Sequence, residues 1–198
     1  GGDTALVAKA MLHKWEEPAL AGNGGSGAIF FGGCTLGCRY CQNKAISRGE
    51  CGNIFTVSQL ADEMLRLQDM GAYNINLVTP THYIPQIISA LDLAKPRLSI
   101  PVVFNTGGYE KAETIEALRG YADIFLTDFK YGTPALAAKY SAAADYPDVA
   151  ISALKKMLEI TGAPSFDSEG MMKRGIKGEH SLYLYSVSDK AVPYPFRM

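Results

Sequence analysis

The chain has 198 residues, 47% of them hydrophobic and 20% charged, with a formal net charge of −1, which is enough for one domain that buries roughly 70% of its unfolded surface. Acids and bases are interspersed without a block of Lys or Arg, so nothing supports an electrostatic grip on nucleic acid or an anionic membrane. No run approaches about 20 apolar residues and no signal-peptide order is present, so the cytoplasm is the expected location, although the opening Gly1-Gly2 suggests a processed or excerpted start.

Residues 1–27 read as an N-terminal extension in which Glu16 and Glu17 belong to a solvated face. Its last seven residues, Ala21-Gly22-Asn23-Gly24-Gly25-Ser26-Gly27, predict a flexible connection. Ala28-Ile29-Phe30-Phe31 is apolar throughout and is followed by Gly32-Gly33, as expected of a parallel strand covered on both faces. Thr56 and Gln59 form a capping box for a helix near 57–70, with Leu60, Met64 and Leu67 on one face and Gly71 as its stop. Ile75-Asn76-Leu77-Val78 is the second strand. Ile84, Ile87, Ile88 and Leu91 mark a helix near 84–94. Pro101-Val102-Val103-Phe104 is the third strand, Lys111 to Arg119 a helix, and Ile124-Phe125-Leu126 the fourth strand. A further helix near 149–161 ends at Gly162. Such βα alternation specifies an α/β fold with a parallel sheet and right-handed crossovers, either doubly wound or curved toward a (β/α) barrel. After Gly170 the pattern decays. Residues 181–187 alternate like a strand, but a further strand–helix unit needs about 30 residues, so the sheet is expected to end short of a barrel.

Four cysteines, three of them within eight residues, are too few and too clustered for a disulfide framework. Cys34-Thr35-Leu36-Gly37-Cys38-Arg39-Tyr40-Cys41 has C-x3-C-x2-C spacing and follows the first strand, where a parallel α/β sheet places its ligand site. Gly32, Gly33 and Gly37 let the backbone wrap a bulky inorganic cluster. A closed four-iron cluster takes four cysteines; three leave one iron open, as a centre that admits a cofactor requires. The alternative is a closed iron–sulfur or zinc site that recruits Cys51.

With the strand–helix alternation and the aromatic Tyr40 before the last cysteine, this motif resembles the radical S-adenosylmethionine (radical SAM) superfamily. Cys41-Gln42-Asn43, Asp128-Phe129-Lys130, His13-Lys14-Trp15-Glu16-Glu17-Pro18 and Asn74-Ile75-Asn76-Leu77-Val78-Thr79-Pro80-Thr81-His82 are similar to the pyruvate formate-lyase activating enzymes and their uncharacterised relatives. The resemblance covers roughly residues 5–175. It implies a partial (β/α) barrel of parallel strands truncated at its C-terminal end, with a core domain at 28–175 and an atypical tail at 176–198.

It also implies a 4Fe-4S cluster held by Cys34, Cys38 and Cys41, with S-adenosylmethionine on the open iron and a 5′-deoxyadenosyl radical as the product of one-electron cleavage. An electron donor such as flavodoxin or ferredoxin follows from this, and a protein substrate is one option. Tyr40 is placed beside the adenine, where an aromatic ring can stack. The family's Gly-Gly-Glu segment after the second strand is replaced by Thr79-Pro80-Thr81-His82, so the Thr79 and Thr81 hydroxyls and His82 stand where the methionyl amine is held. Asn105-Thr106-Gly107-Gly108 resembles an Asp-Thr-Asn-Gly segment; Asn105 and Thr106 with Asp128 suggest an oxygen-rich pocket, and Lys130 a countercharge for the cofactor's carboxylate. The competing function is a truncated, non-catalytic iron–sulfur or zinc-binding module.

Overall fold

The computed structural model describes residues 2–179. Its strands in chain order are β1 (Thr4–His13), β2 (Ser26–Phe31), β3 (Asn53–Thr56), β4 (Ile75–Val78), β5 (Val102–Thr106), β6 (Ile124–Asp128), β7 (Ser165–Phe166) and β8 (Met172–Glu179). The helices are α1 (Pro18–Ala21), α2 (Lys44–Ser47), α3 (Val57–Asp69), α4 (Ile84–Ala94), α5 (Ala112–Glu116), α6 (Pro134–Ser141) and α7 (Tyr146–Thr161). The sheet order is β3-β1-β2-β4-β5-β6-β8-β7. Its centre, β2-β4-β5-β6-β8, is parallel, while β1 runs antiparallel to β2 and β3, and β7 antiparallel to β8. Among the described residues the sheet stays open, with β3 and β7 at its two ends.

Alternation along the strands decides which face meets the helices. Ile29, Phe31, Ile75, Leu77 and Val102 pack with Leu60, Met64 and Leu67 of α3 and Ile87, Ala90 and Leu91 of α4. Phe104 and Phe125 continue the same face against Ile115 of α5 and Ala153, Met157 and Ile160 of α7. One face of the sheet therefore carries the helices, which is the arrangement of a partial (β/α) barrel and not of a doubly wound sheet. On the inner face, Val103, Ile124 and Leu126 meet Leu20 of α1 and Met172, so the β1–α1 turn closes the lower end.

The capping box at Thr56 forms as expected, with Thr56 Oγ1 accepting the Gln59 N–H and Gln59 Oε1 accepting the Thr56 N–H. Several expectations are corrected. Residues 4–13, read as part of an extension, are the strand β1, with Leu12 opposite Gly27 and His13 opposite Ser26. Ser26 and Gly27, read as the end of a flexible connection, are buried within β2. The helix expected from 149 starts at Tyr146, ahead of Pro147, and a proline is tolerated in the first turn because its missing N–H has no intrahelical partner to lose. Glu16 is not solvated: it is largely buried and accepts a hydrogen bond from Asn76 Nδ2 at 2.7 Å. Residues 176–179 extend β8 alongside β6, and the strand read at 181–187 lies outside the described residues.

Phe31 is fully buried at the end of β2. Phe31→Ala is expected to lower unfolding stability by about 3–5 kcal/mol, whereas Ile54→Ala, at a side chain 62% exposed on the edge strand β3, should change it by about 0.5 kcal/mol or less. Urea denaturation of the two variants checks the difference.

Candidate functional site

The cysteine loop leaves the sheet at the carboxyl end of β2. Gly33 takes a positive φ of 96°, a conformation that costs glycine little, and its N–H bonds the Ile46 carbonyl at 2.9 Å. The loop is fixed again in its middle, where the Arg39 N–H meets the Tyr140 carbonyl at 2.9 Å, and it turns at the bond from Cys41 N–H to the Cys38 carbonyl, 3.1 Å. Leu36 is its apolar anchor, buried with Tyr131, Ala137, Ala143, Tyr146 and Ala150, and the Cys34 and Cys38 side chains pack on the same cluster. Cys34, Cys38 and Cys41 are half-buried free thiols, while Cys51 is an exposed thiol ahead of the edge strand β3. Among the described residues no group of three or more His, Cys, Asp or Glu side chains is drawn together as a coordination shell. The donor set nevertheless suits an iron–sulfur cluster in its chemistry: three unpaired soft thiols on one loop at the ligand-binding end of a parallel sheet.

Beside this loop the chain crosses the ends of β4 and β5. Thr79 adopts a positive φ of 55°, an uncommon conformation for a β-branched residue that marks local strain. Its N–H bonds the Asn105 carbonyl at 2.9 Å. Thr81 opens a 3-10 turn, Thr81–Tyr83, that leads into α4. Its hydroxyl donates to Glu110 Oε1 at 2.6 Å, and the Thr106 hydroxyl donates to the same oxygen at 2.5 Å. Burial raises the Glu110 pKa above the ordinary carboxylate value, and the two hydroxyls oppose that shift. His82 is exposed, and its ring lies against Gly33 at the foot of the cysteine loop.

The end of β6 is joined to the end of β5 through one phenol. Tyr146 is fully buried, its hydroxyl donates to the Gly107 carbonyl at 2.8 Å, and it accepts the Lys130 N–H at 2.8 Å. Gly108 sits so close that a Cβ there would lie 2.5 Å from the Asp128 carbonyl oxygen, and its φ is +80°, so no other residue fits without displacing the strand end. Asp128 and Lys130 form an ion pair, and the Lys130 side chain reaches the backbone of Gly107 next to Leu36. Tyr40 is half exposed and meets Tyr131 and Tyr140 edge to face, with ring centroids 6.3 and 6.1 Å apart. Burial holds the Tyr131 phenol up at about 12.

These contacts bring the expected residues to one end of the sheet in linked pairs: Thr79 with Asn105, Thr81 with Thr106, Asp128 with Lys130, and His82 with the cysteine loop. The sequence reading missed Glu110, which links Thr81 to Thr106, and Tyr146, which ties Gly107 to Lys130. A single carboxylate after Gly107-Gly108 carries no periodic signal; for Tyr146 the clue was Pro147, one residue on, as a helix-start proline.

Residues 28–167 match the radical SAM superfamily. An uncharacterised protein of Methanocaldococcus jannaschii is 31% identical over 148 residues, which cover 70% of this chain and 42% of that protein. The chain thus spans less than half the length of this curated relative.

Tyr146→Phe strands the Gly107 carbonyl and the Lys130 N–H, and an expected loss of about 1–3 kcal/mol is measurable by chemical denaturation. Glu110→Gln keeps an acceptor for both threonines and removes a desolvated charge. Because the folded-state pKa of Glu110 is raised, the parent is most stable relative to the variant at acid pH and loses stability as pH rises through that pKa. The variant is therefore expected to melt higher than the parent at pH 7, with the gap closing toward pH 4 in a series of thermal melts.

Proposed function

The chain belongs to the radical SAM superfamily, and on that premise we propose that it is an enzyme that reductively cleaves S-adenosylmethionine and removes a hydrogen atom from a substrate C–H bond. The observation that carries this reading is the set of three unpaired, half-buried thiols in C-x3-C-x2-C spacing at the carboxyl end of β2. When bound, a 4Fe-4S cluster and S-adenosylmethionine supply one-electron cleavage, the electron coming from a flavodoxin- or ferredoxin-type donor and the products being methionine and a 5′-deoxyadenosyl radical.

The chain's own residues hold and orient. Cys34, Cys38 and Cys41 bind the metal as thiolates, and leave one position for the cofactor. Leu36 fixes the loop that carries them. Lys130 provides positive charge for a carboxylate, and Tyr146 holds its backbone. The Thr79–Thr81 segment and His82 present hydroxyl and imidazole groups to an amine, with Glu110 fixing the Thr81 hydroxyl. Asn105, Thr106 and Asp128 complete the polar rim, and the half-exposed ring of Tyr40 offers a surface to a purine. The hydrogen donor is a C–H bond either of a small molecule or of another protein's backbone, as in the activating enzymes that the motifs resemble.

Anaerobic reconstitution with iron and sulfide analysis, followed by a 5′-deoxyadenosine assay, tests the assignment. The parent is expected to hold about four iron atoms per chain, and Cys34→Ala, Cys38→Ala and Cys41→Ala to lose the cluster and deoxyadenosine formation together. Cys51→Ser is expected to keep both. Loss of the cluster in C51S would replace this reading with a closed four-thiol site.

A further inference from the structure

Two of the sequence segments singled out above have no part in cofactor binding: the turn that carries Glu16 and the lower half of β4. The fold brings them together on the inner face of the sheet. Glu16 accepts the Asn76 Nδ2 hydrogen bond at 2.7 Å across a separation of 60 residues. Asn76 is fully buried, and among the described residues its Oδ1 has no hydrogen-bond donor. A buried carbonyl oxygen in that state is uncommon, because the water it lost on folding has not been replaced.

The charges around the pair indicate what would complete it. Glu17 is matched by Lys177 at 3.2 Å. Among the described residues Glu16 has no lysine or arginine at ion-pair distance; its polar neighbours are Asn76, the backbone N–H of Glu17 and the His13 imidazole. An acceptor without a donor, next to a carboxylate that has the His13 imidazole but, among the described residues, no lysine or arginine beside it, suits a group that brings several N–H bonds and a positive charge. Asn76 is in register with Ala28 and Val103, one step below Val78 and Asn105 on the same face, or roughly 6–7 Å nearer the lower end at about 3.3 Å per residue. Its burial keeps it out of reach of a folded partner's backbone, so the group that completes it must be small and slender.

We propose that Glu16 and Asn76 form the binding position for the protonated amine of a small-molecule substrate, whose other end lies at the strand-end site. This rests on the radical SAM reading given above and adds a substrate class to it.

Titration of the full chain with propylammonium chloride, followed through the Asn76 side-chain amide by ¹H–¹⁵N NMR, tests the proposal, with propanol as the neutral arm. The expected result is a saturable shift with propylammonium alone, and an affinity about 10- to 100-fold weaker in Glu16→Gln. A shift that is equal for both probes, that fails to saturate, or that persists unchanged in E16Q would overturn it. Asn76→Leu supplies the control for a structural role. Its melting temperature is expected, unlike the parent's, to be unmoved by propylammonium; a melting temperature that propylammonium raises in the variant as in the parent would overturn the proposal. The titration reads neither a cluster nor deoxyadenosine, so it can fail while the radical SAM reading stands, and the reverse.

Discussion

The buried hydroxyl of Tyr146 is the constraint on which the geometry of the site depends. The phenol is removed from water, and burial raises its pKa, so its donor and acceptor functions must both be met inside the protein. They are met by the Gly107 carbonyl and the Lys130 N–H, which sets the spacing between the ends of β5 and β6. The same ring stacks against Tyr109 and packs in the cluster that holds Leu36, Cys34 and Cys38. One side chain at the start of α7 therefore sets two strand-end loops and the wall behind the thiols.

The sheet separates stability from chemistry by face and by end. The outer face is apolar and helix-covered, and its buried side chains make up the two largest clusters. Polar groups gather at the carboxyl ends of the strands and along the inner face, where Asn76 and Glu16 meet. Charged and amide groups placed in such surroundings cost stability unless they are partnered. Glu110 offsets that cost with two threonine hydroxyls; the Glu16–Asn76 pair does so only in part. Strain and incomplete hydrogen bonding of this kind tend to concentrate where a protein binds something.

The parts of the fold that rest on periodicity were legible from the sequence. The buried strands from β2 to β6 are short apolar runs, and α3 and α4 announce themselves by helical spacing and, for α3, by a capping box. β1 was missed because Thr4–His13 mixes Ala, Met and Lys and is only partly buried along most of its length, so neither alternation nor an apolar run stands out. β8 was missed for a related reason, since Met172–Glu179 contains two glycines and three basic residues. The place of the cysteine loop, at the carboxyl end of the first parallel strand, was legible from the apolar run that precedes it. Glu110, Tyr146 and Glu16 were not, because each acts through a partner distant in sequence, and Glu16 beside Glu17 reads as an ordinary solvated pair until β1 and α1 are seen to fold it inward.

The measurement closest to the central claim is electron paramagnetic resonance of the reduced, anaerobically reconstituted protein with and without S-adenosylmethionine. An iron left open by a three-cysteine loop predicts a cluster spectrum that changes when the cofactor is added. A cluster spectrum indifferent to S-adenosylmethionine would contradict the account and identify a closed, structural centre.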